Sequence, residues 1–137
     1  MRAAVIGLGW WGKQIIKCLN ESKKIDITHA FDPQISKDDP VFSKFSVDPS
    51  LNFDAIIDSP SVDAVILATP NQFHEKQVIS AANKGKQVFC EKPVALKYES
   101  IKRMASACKK NGIILGVGHE RRWEPAMVKL RYMLDEG

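Results

Sequence analysis

Four groups of residues have the types and spacing to do chemistry. The first is Gly7-Leu8-Gly9-Trp10-Trp11-Gly12, a G-x-G-x-x-G run. Between a strand and a helix, such a run binds a dinucleotide. Gly7 permits the tight turn, Gly9 lets a pyrophosphate approach the backbone, and Gly12 lets the helix lie close on the strand. The phosphates would sit at the helix N-terminus, where free N–H groups and the positive dipole end favour an anion. The bland reading is a glycine turn with no ligand. The second group is Asp32, 20 residues beyond Gly12. At that distance the dinucleotide fold sets a carboxylate on the adenosine ribose. A carboxylate accepts hydrogen bonds from both ribose hydroxyls and repels a 2′-phosphate, so it predicts NAD over NADP. Its bland reading is an Asp-Pro turn. The third and fourth groups are Thr69-Pro70-Asn71-Gln72-Phe73-His74 and Glu91-Lys92-Pro93. Alone they are weak signals: Lys92 reads as a surface lysine before a turn, His74 as a solvated cap, and Cys90 as a buried small hydrophobe.

The elements that must position these residues follow from periodicity. Residues 2–6 are a short apolar strand, and Ile15 and Leu19 give the next segment helical spacing. Residues 25–31 alternate and read as a second strand. Asp38-Asp39-Pro40 breaks the chain, so 34–46 is expected to be a loop, with a short third strand at Phe45-Ser46-Val47. Asp48-Pro49-Ser50 is expected to open a helix through Ile57 with Leu51, Ala55 and Ile56 apolar, ended by Asp58-Ser59-Pro60. Residues 62–68 are nearly all apolar, as in a strand buried on both faces of a parallel sheet. Asn71 is the expected N-cap of a helix to Lys84 with Val78, Ile79 and Ala82 inward, and Gly85 stops it. A fifth strand spans 87–90. A helix over 98–110 carries Ile101, Met104, Ala105 and Cys108, and Asn111-Gly112 ends it. Residues 113–117 are the sixth strand, 118–125 a loop, and 125–135 a last amphipathic helix with Met127, Leu130 and Leu134. Strands alternating with helices predict an α/β, doubly wound parallel sheet of six strands in the order 3-2-1-4-5-6. Ligands then bind beyond the strand C-termini, where the order reverses between strands 1 and 4. All four groups fall on that edge.

Composition narrows the class. The chain has 137 residues, is 45% hydrophobic and 26% charged, and carries a net charge of +4. That length suits one domain with a real core. No apolar run reaches the roughly 18 residues of a membrane span, and the N-terminal apolar run lacks a signal peptide's cleavage site. The excess of basic residues invites a nucleic-acid reading, but they are dispersed and no aromatic set is interleaved with them. Cys18, Cys90 and Cys108 are odd in number and widely spaced, with no metal or redox pair, so a reducing, cytoplasmic compartment is expected.

Taken together, the glycine run, Thr69-Pro70-Asn71-x-x-His74 and Glu91-Lys92-Pro93 resemble the Gfo/Idh/MocA family of NAD(P)-dependent oxidoreductases, which includes glucose–fructose oxidoreductase and inositol dehydrogenase. The resemblance runs from residue 1 to about 125. It implies that Gly7, Leu8, Gly9, Trp10, Trp11 and Gly12 hold the pyrophosphate, with Trp10 and Trp11 giving backbone N–H groups, and that Asp32 holds the adenosine ribose. It implies that Thr69, Pro70, Asn71 and His74 line the channel towards the nicotinamide and that Glu91 touches the nicotinamide ribose. Lys92 becomes the catalytic residue, a buried ammonium that stabilises a developing alkoxide and relays a proton, with Pro93 fixing the backbone behind it. Arg122-Trp123 before Pro125 resembles the family's connection into its second domain, with Arg122 expected among the cofactor-binding residues, and Gly118-His119 resembles members acting on sugar nucleotides. No metal is implied.

The resemblance sets residues 1–122 as the NAD-binding Rossmann domain and 123–137 as the start of a connection to a C-terminal α+β domain. In the family that domain supplies the main acid/base residue, and here the chain ends at Gly137. Lys92 is thus left without an identified partner, and the chain alone is expected to bind NAD(H) but to turn over slowly or not at all. The expected function is hydride transfer between NAD and a sugar, inositol or sugar-nucleotide alcohol. A stand-alone NAD(H)-binding or sensing module is the alternative. Methyltransferases that use S-adenosylmethionine space their glycines differently and leave Glu91-Lys92-Pro93 unexplained. The Met127, Leu130 and Leu134 stripe is expected to need a covering partner, either a second copy in a homo-oligomer or the missing domain.

Overall fold

β1 (Arg2–Ile6) is the apolar run expected before the glycines, and four of its five residues are buried. It lies in the middle of a parallel sheet of six strands ordered β3-β2-β1-β4-β5-β6, as expected. The computed structural model describes residues 1–137. β2 is Asp26–Phe31, β3 Asp48–Pro49, β4 Ala64–Leu67, β5 Gln87–Glu91 and β6 Leu115–Gly118. Alternate residues of each strand face opposite layers. Ala3 and Val5 of β1 and Ala64 and Ile66 of β4 pack with Ile16 of α1 (Trp10–Leu19) and Val41 and Phe42 of α2 (Pro40–Phe45). Ala4, Ile6, Val65 and Leu67 face α3 (Phe53–Asp58), α4 (His74–Asn83) and α5 (Tyr98–Lys110). All four residues of β4 are buried, which is why that strand carries no alternation.

The two layers are unequal. Beyond α1, the face of β5 and β6 on that side bears no helix. Phe89 there is 39% exposed and Ile114 74%. An apolar trough of about 730 Å³ runs along this face, between Ile15 and Trp11 of α1 and Phe89 and Val117 of the sheet.

Several local expectations need correction. The expected loop at 34–46 contains α2. Asp39 caps it, accepting a hydrogen bond from the Val41 N–H at 2.9 Å, and Pro40 takes the first helical position. Asp-Pro was therefore a helix start and not only a breaker. Phe45 belongs to that helix, and Ser46 ends it in the left-handed region at φ 53°. β3 is accordingly Asp48–Pro49 and not 45–47. α3 begins later than expected, with Asn52 accepting from the Ala55 N–H at 2.8 Å, and Leu51 is outside it and exposed. Asn71 caps nothing. It starts a 3₁₀ turn, Asn71–Phe73, that leads into α4. On α5 the inward face is Ser100, Met104 and Cys108, while Ile101 and Ala105 face outward. β6 starts two residues later than expected and reaches Gly118. α6 (Pro125–Glu136) forms as expected, and none of its residues is buried.

Candidate functional site

The turn from β1 into α1 is built from three glycines with three different surroundings. Gly7 has φ +92°, and a Cβ there would lie 2.8 Å from backbone atoms of Ala68 and Thr69. A Cβ on Gly12 would lie 1.9 Å from the Gly7 carbonyl oxygen. Gly9 faces open space, with nothing within 4 Å of its missing Cβ. Thus Gly7 and Gly12 are required by the fold, and Gly9 leaves room above the helix end. No side chain caps α1 at Gly9, so the first N–H groups of the helix point outward uncapped. A cradle of this kind fits a pyrophosphate.

Asp32 follows β2 beside that cradle. One carboxylate oxygen accepts from the Leu8 N–H and the other from the Gln34 N–H, each at 2.8 Å. An ionised carboxylate offers about four acceptor sites, so two more remain for a ribose. The Leu8 side chain is in the core and its N–H is spent on Asp32. Trp10 and Trp11 stack with ring centroids 5.6 Å apart at 27°, with Trp10 74% exposed.

The second half of the site is a cleft of about 410 Å³ at the ends of β4 and β5. Trp10, Trp11, Thr69, Glu91, Lys92 and Glu120 line it. Glu91 is 7% exposed and pairs in the sheet with Gly118. A Cβ on Gly118 would lie 2.7 Å from the Glu91 carboxylate, so glycine at 118 makes room for that acid. Glu91 Oε2 accepts from the Lys92 N–H at 3.2 Å. Lys92 itself is half-exposed, not buried as expected, and its ammonium is 3.8 Å from Glu120. Burial, with the Glu91 charge adding to it, pushes the neighbouring Cys90 thiol up to about 12, so it stays protonated.

The remaining expected residues sort by position. The Thr69 hydroxyl donates to Gln77 Oε1 of α4 at 2.6 Å. Pro70 is exposed and Asn71 half-buried at the start of the 3₁₀ turn. Pro93 follows Lys92 through a cis peptide bond. His74, expected on the channel wall, is 1% exposed and lies beneath it. Arg122 is exposed in a 3₁₀ turn, Glu120–Trp123, and lines neither cavity. Sequence reasoning missed Glu120 and Gln77, and it named Gly118 without the room that residue makes for Glu91. The pairing of β5 with β6 signals Gly118, because a glycine stands opposite an inward acid. Nothing in the sequence signals Glu120, whose loop has no periodicity.

Residues 1–119 match the family model for an oxidoreductase family with an NAD-binding Rossmann fold. The chain belongs to the Gfo/Idh/MocA family. It is 35% identical over 133 residues to 2,7-anhydro-N-acetylneuraminate hydratase of Escherichia coli, covering 97% of this chain and 35% of that one. It is 33% identical to scyllo-inositol 2-dehydrogenase (NAD(+)) of Bacillus subtilis, covering 100% and 41%. Among solved structures, scyllo-inositol dehydrogenase of Lactobacillus casei with bound NAD(H) and scyllo-inositol superposes with a TM-score of 0.92 at 25% identity, covering 100% of this chain and 41% of that one. A probable dehydrogenase of Thermotoga maritima gives 0.93 at 30% identity, with the same coverage. The chain thus spans 35% to 41% of the length of these relatives.

Proposed function

We propose that this chain is the NAD-binding domain of an oxidoreductase that moves hydride between NAD and the alcohol of a sugar, inositol or sugar nucleotide. One observation carries the reading. The open cradle at Gly9, the Asp32 carboxylate and the Lys92 cleft lie along one edge of the sheet, at the switch between β1 and β4, where ligands bind in such folds. In this reading residues 1–122 form the cofactor domain and 123–137 start a connection to a second domain. Gly7, Gly9 and Gly12 shape the pyrophosphate seat, and the N–H groups of Trp10 and Trp11 bind it. Asp32 holds the adenosine ribose and selects NAD over NADP. Glu91 accepts from the nicotinamide ribose, with Thr69 on the cleft wall and Pro70 and Asn71 in the turn that follows it. NAD, when bound, supplies the hydride acceptor. Lys92 gives a hydrogen bond to the substrate hydroxyl, stabilises the developing alkoxide and takes part in moving its proton. Its half-exposed position suits a residue that meets a substrate entering from solvent. The absence of any disulfide among Cys18, Cys90 and Cys108 supports a reducing, cytoplasmic setting.

Tryptophan fluorescence tests the cofactor. Trp10 and Trp11 flank the cradle, so NADH binding quenches them, and NADPH binds at least about tenfold more weakly because Asp32 meets the extra phosphate. No quenching by either nucleotide, or a preference for NADPH, overturns the assignment. The exposed Met127, Leu130 and Leu134 of α6 support a covering partner, a second copy or a second domain. Light scattering separates them: a dimer that Leu130→Lys dissociates supports the second copy, and a monomer the domain.

A further inference from the structure

His74 is buried, yet its ring joins the two walls of the cleft. Nε2 lies 2.8 Å from the Thr69 carbonyl oxygen, in the loop after β4. Nδ1 lies 3.2 Å and 3.3 Å from the Pro93 and Val94 carbonyl oxygens, in the turn after β5. Thr69 and Lys92, which line the cleft, thus sit on segments held by one imidazole. Carbonyl oxygens only accept, so a ring nitrogen bonds one of them where it carries an N–H. A neutral imidazole has one N–H to give and the cation two. The contact to Thr69 is the shortest of the three. Gln77, three residues further along α4, takes the Thr69 hydroxyl and holds the same loop again. The ring is 1% exposed, so no ligand in the cleft can touch it.

We propose that His74 is a positioning residue for the nicotinamide half of the site: its bridge sets the spacing between Thr69 and Lys92 without contact to cofactor or substrate. The inference rests on the reading of the cleft given under Proposed function. It separates the site into two parts. The adenosine and pyrophosphate part is built on β1, α1 and β2, to which His74 makes no hydrogen bond; it meets the bridge only where the Thr69 backbone abuts Gly7. The nicotinamide part depends on the bridge.

Calorimetry with ADP and with NADH tests this, because ADP fills the first part only. The variants are His74→Gln, whose amide nitrogen stands near Nε2, and His74→Asn, whose amide nitrogen stands near Nδ1, so each keeps one end of the bridge. The wild type binds NADH more tightly than ADP. Each variant keeps its ADP affinity within about twofold and loses about tenfold in NADH affinity, the size expected when a buried hydrogen bond and the loop it orders are lost. An unchanged ratio of NADH to ADP affinity overturns the inference and leaves the cofactor reading standing, and so does an equal loss of both ligands. A wild type that binds neither nucleotide overturns the cofactor reading and the inference with it. The wild type alone provides a second measurement, independent of how the variants fold. The ¹⁵N resonances of the His74 ring move when NADH binds and stay in place with ADP; equal movement with both, or none with NADH, overturns the inference.

Discussion

Gly9 and Gly12 are three residues apart and respond oppositely to the same added methyl group. At Gly12 a Cβ would lie 1.9 Å from the Gly7 carbonyl oxygen, more than an ångström inside the 3.0 Å that real Cβ atoms keep. Both partners are backbone at the buried crossing of α1 over β1, so no rotamer relieves the clash. Overpacking of this kind costs about 1–3 kcal/mol and sometimes more. Alanine returns up to about 1 kcal/mol of helix propensity, which is the smaller term. Gly12→Ala is therefore expected to lose about 1–2 kcal/mol, a fall in melting temperature of several degrees for a domain of this size. At Gly9 nothing lies within 4 Å, and φ −60°, ψ −175° is open to any residue. Alanine is the poorer N-cap, but it restricts the unfolded chain, worth about 0.4–1 kcal/mol. These terms nearly cancel, and Gly9→Ala is expected to melt within a few degrees of the wild type. Its methyl group fills the space that the pyrophosphate needs, so NADH affinity falls at least about tenfold. The assay is a thermal melt by circular dichroism beside an NADH titration by tryptophan quenching. Wild-type NADH affinity in Gly9→Ala refutes the cradle, and a wild-type melting temperature in Gly12→Ala refutes the packing argument.

Three other outcomes follow from the same geometry. The Arg2 guanidinium, with help from the Arg2 N–H, holds Asp63 down at about 2, and Arg103, with the Ser100 hydroxyl, does the same for Glu75. Their stabilisation is present above the ordinary carboxylate range and is lost as pH falls towards 2, so melting temperature declines less steeply below pH 4.5 in Asp63→Asn and Glu75→Gln than in the wild type. Cys18 is exposed while Cys90 and Cys108 are buried with their thiols pushed up, so a thiol-exchange reagent modifies one cysteine in the native protein and three in urea; rapid reaction of all three refutes the burial. Lys92 is half-exposed and paired only with Glu120 at 3.8 Å, so Lys92→Ala melts within about 0.5 kcal/mol of the wild type; a larger loss would give the residue a structural role.

The sequence made the sheet order legible, along with the helix ends set by glycine, because both depend on local pattern. Gly85 and Gly112 do end α4 and α5 near φ +70°, where glycine is favoured. Pattern failed at 34–52 for a specific reason. Asp-Pro and Asn open helices as readily as they close them, and only the downstream partner decides. Asp39 reaches the Val41 N–H and the Lys13 ammonium at 2.8 Å, a contact 26 residues away that no window around Asp39 contains. The burial of His74 was hidden in the same way. Its position in the first turn of α4 suggested solvent, but its partners lie on Thr69, Pro93 and Val94, in loops joined only by the sheet.

The same distinction divides the site. The cradle and Asp32 are joined by bonds within the first 34 residues: Leu8 to Asp32, and Asp32 to Gln34. That part is closed by one strand–helix–strand unit, and its chemistry is written in one short stretch. The Lys92 cleft is assembled from Trp10 and Trp11 of α1, the ends of β4 and β5 and the turn that carries Glu120, residues up to 110 apart in the chain. Its polar side chains are held by single contacts, Lys92 to Glu120 and Glu91 to the Lys92 N–H, and its walls by the His74 bridge. Substitutions in the first part should therefore act on nucleotide binding as a whole. Substitutions that loosen the second part should spare the adenosine end and change how the nicotinamide end is held. A misplacement of about 1 Å can cost about 100-fold in rate, so under the proposed hydride transfer the loosely held part is where changes far from the chemistry will alter reactivity most.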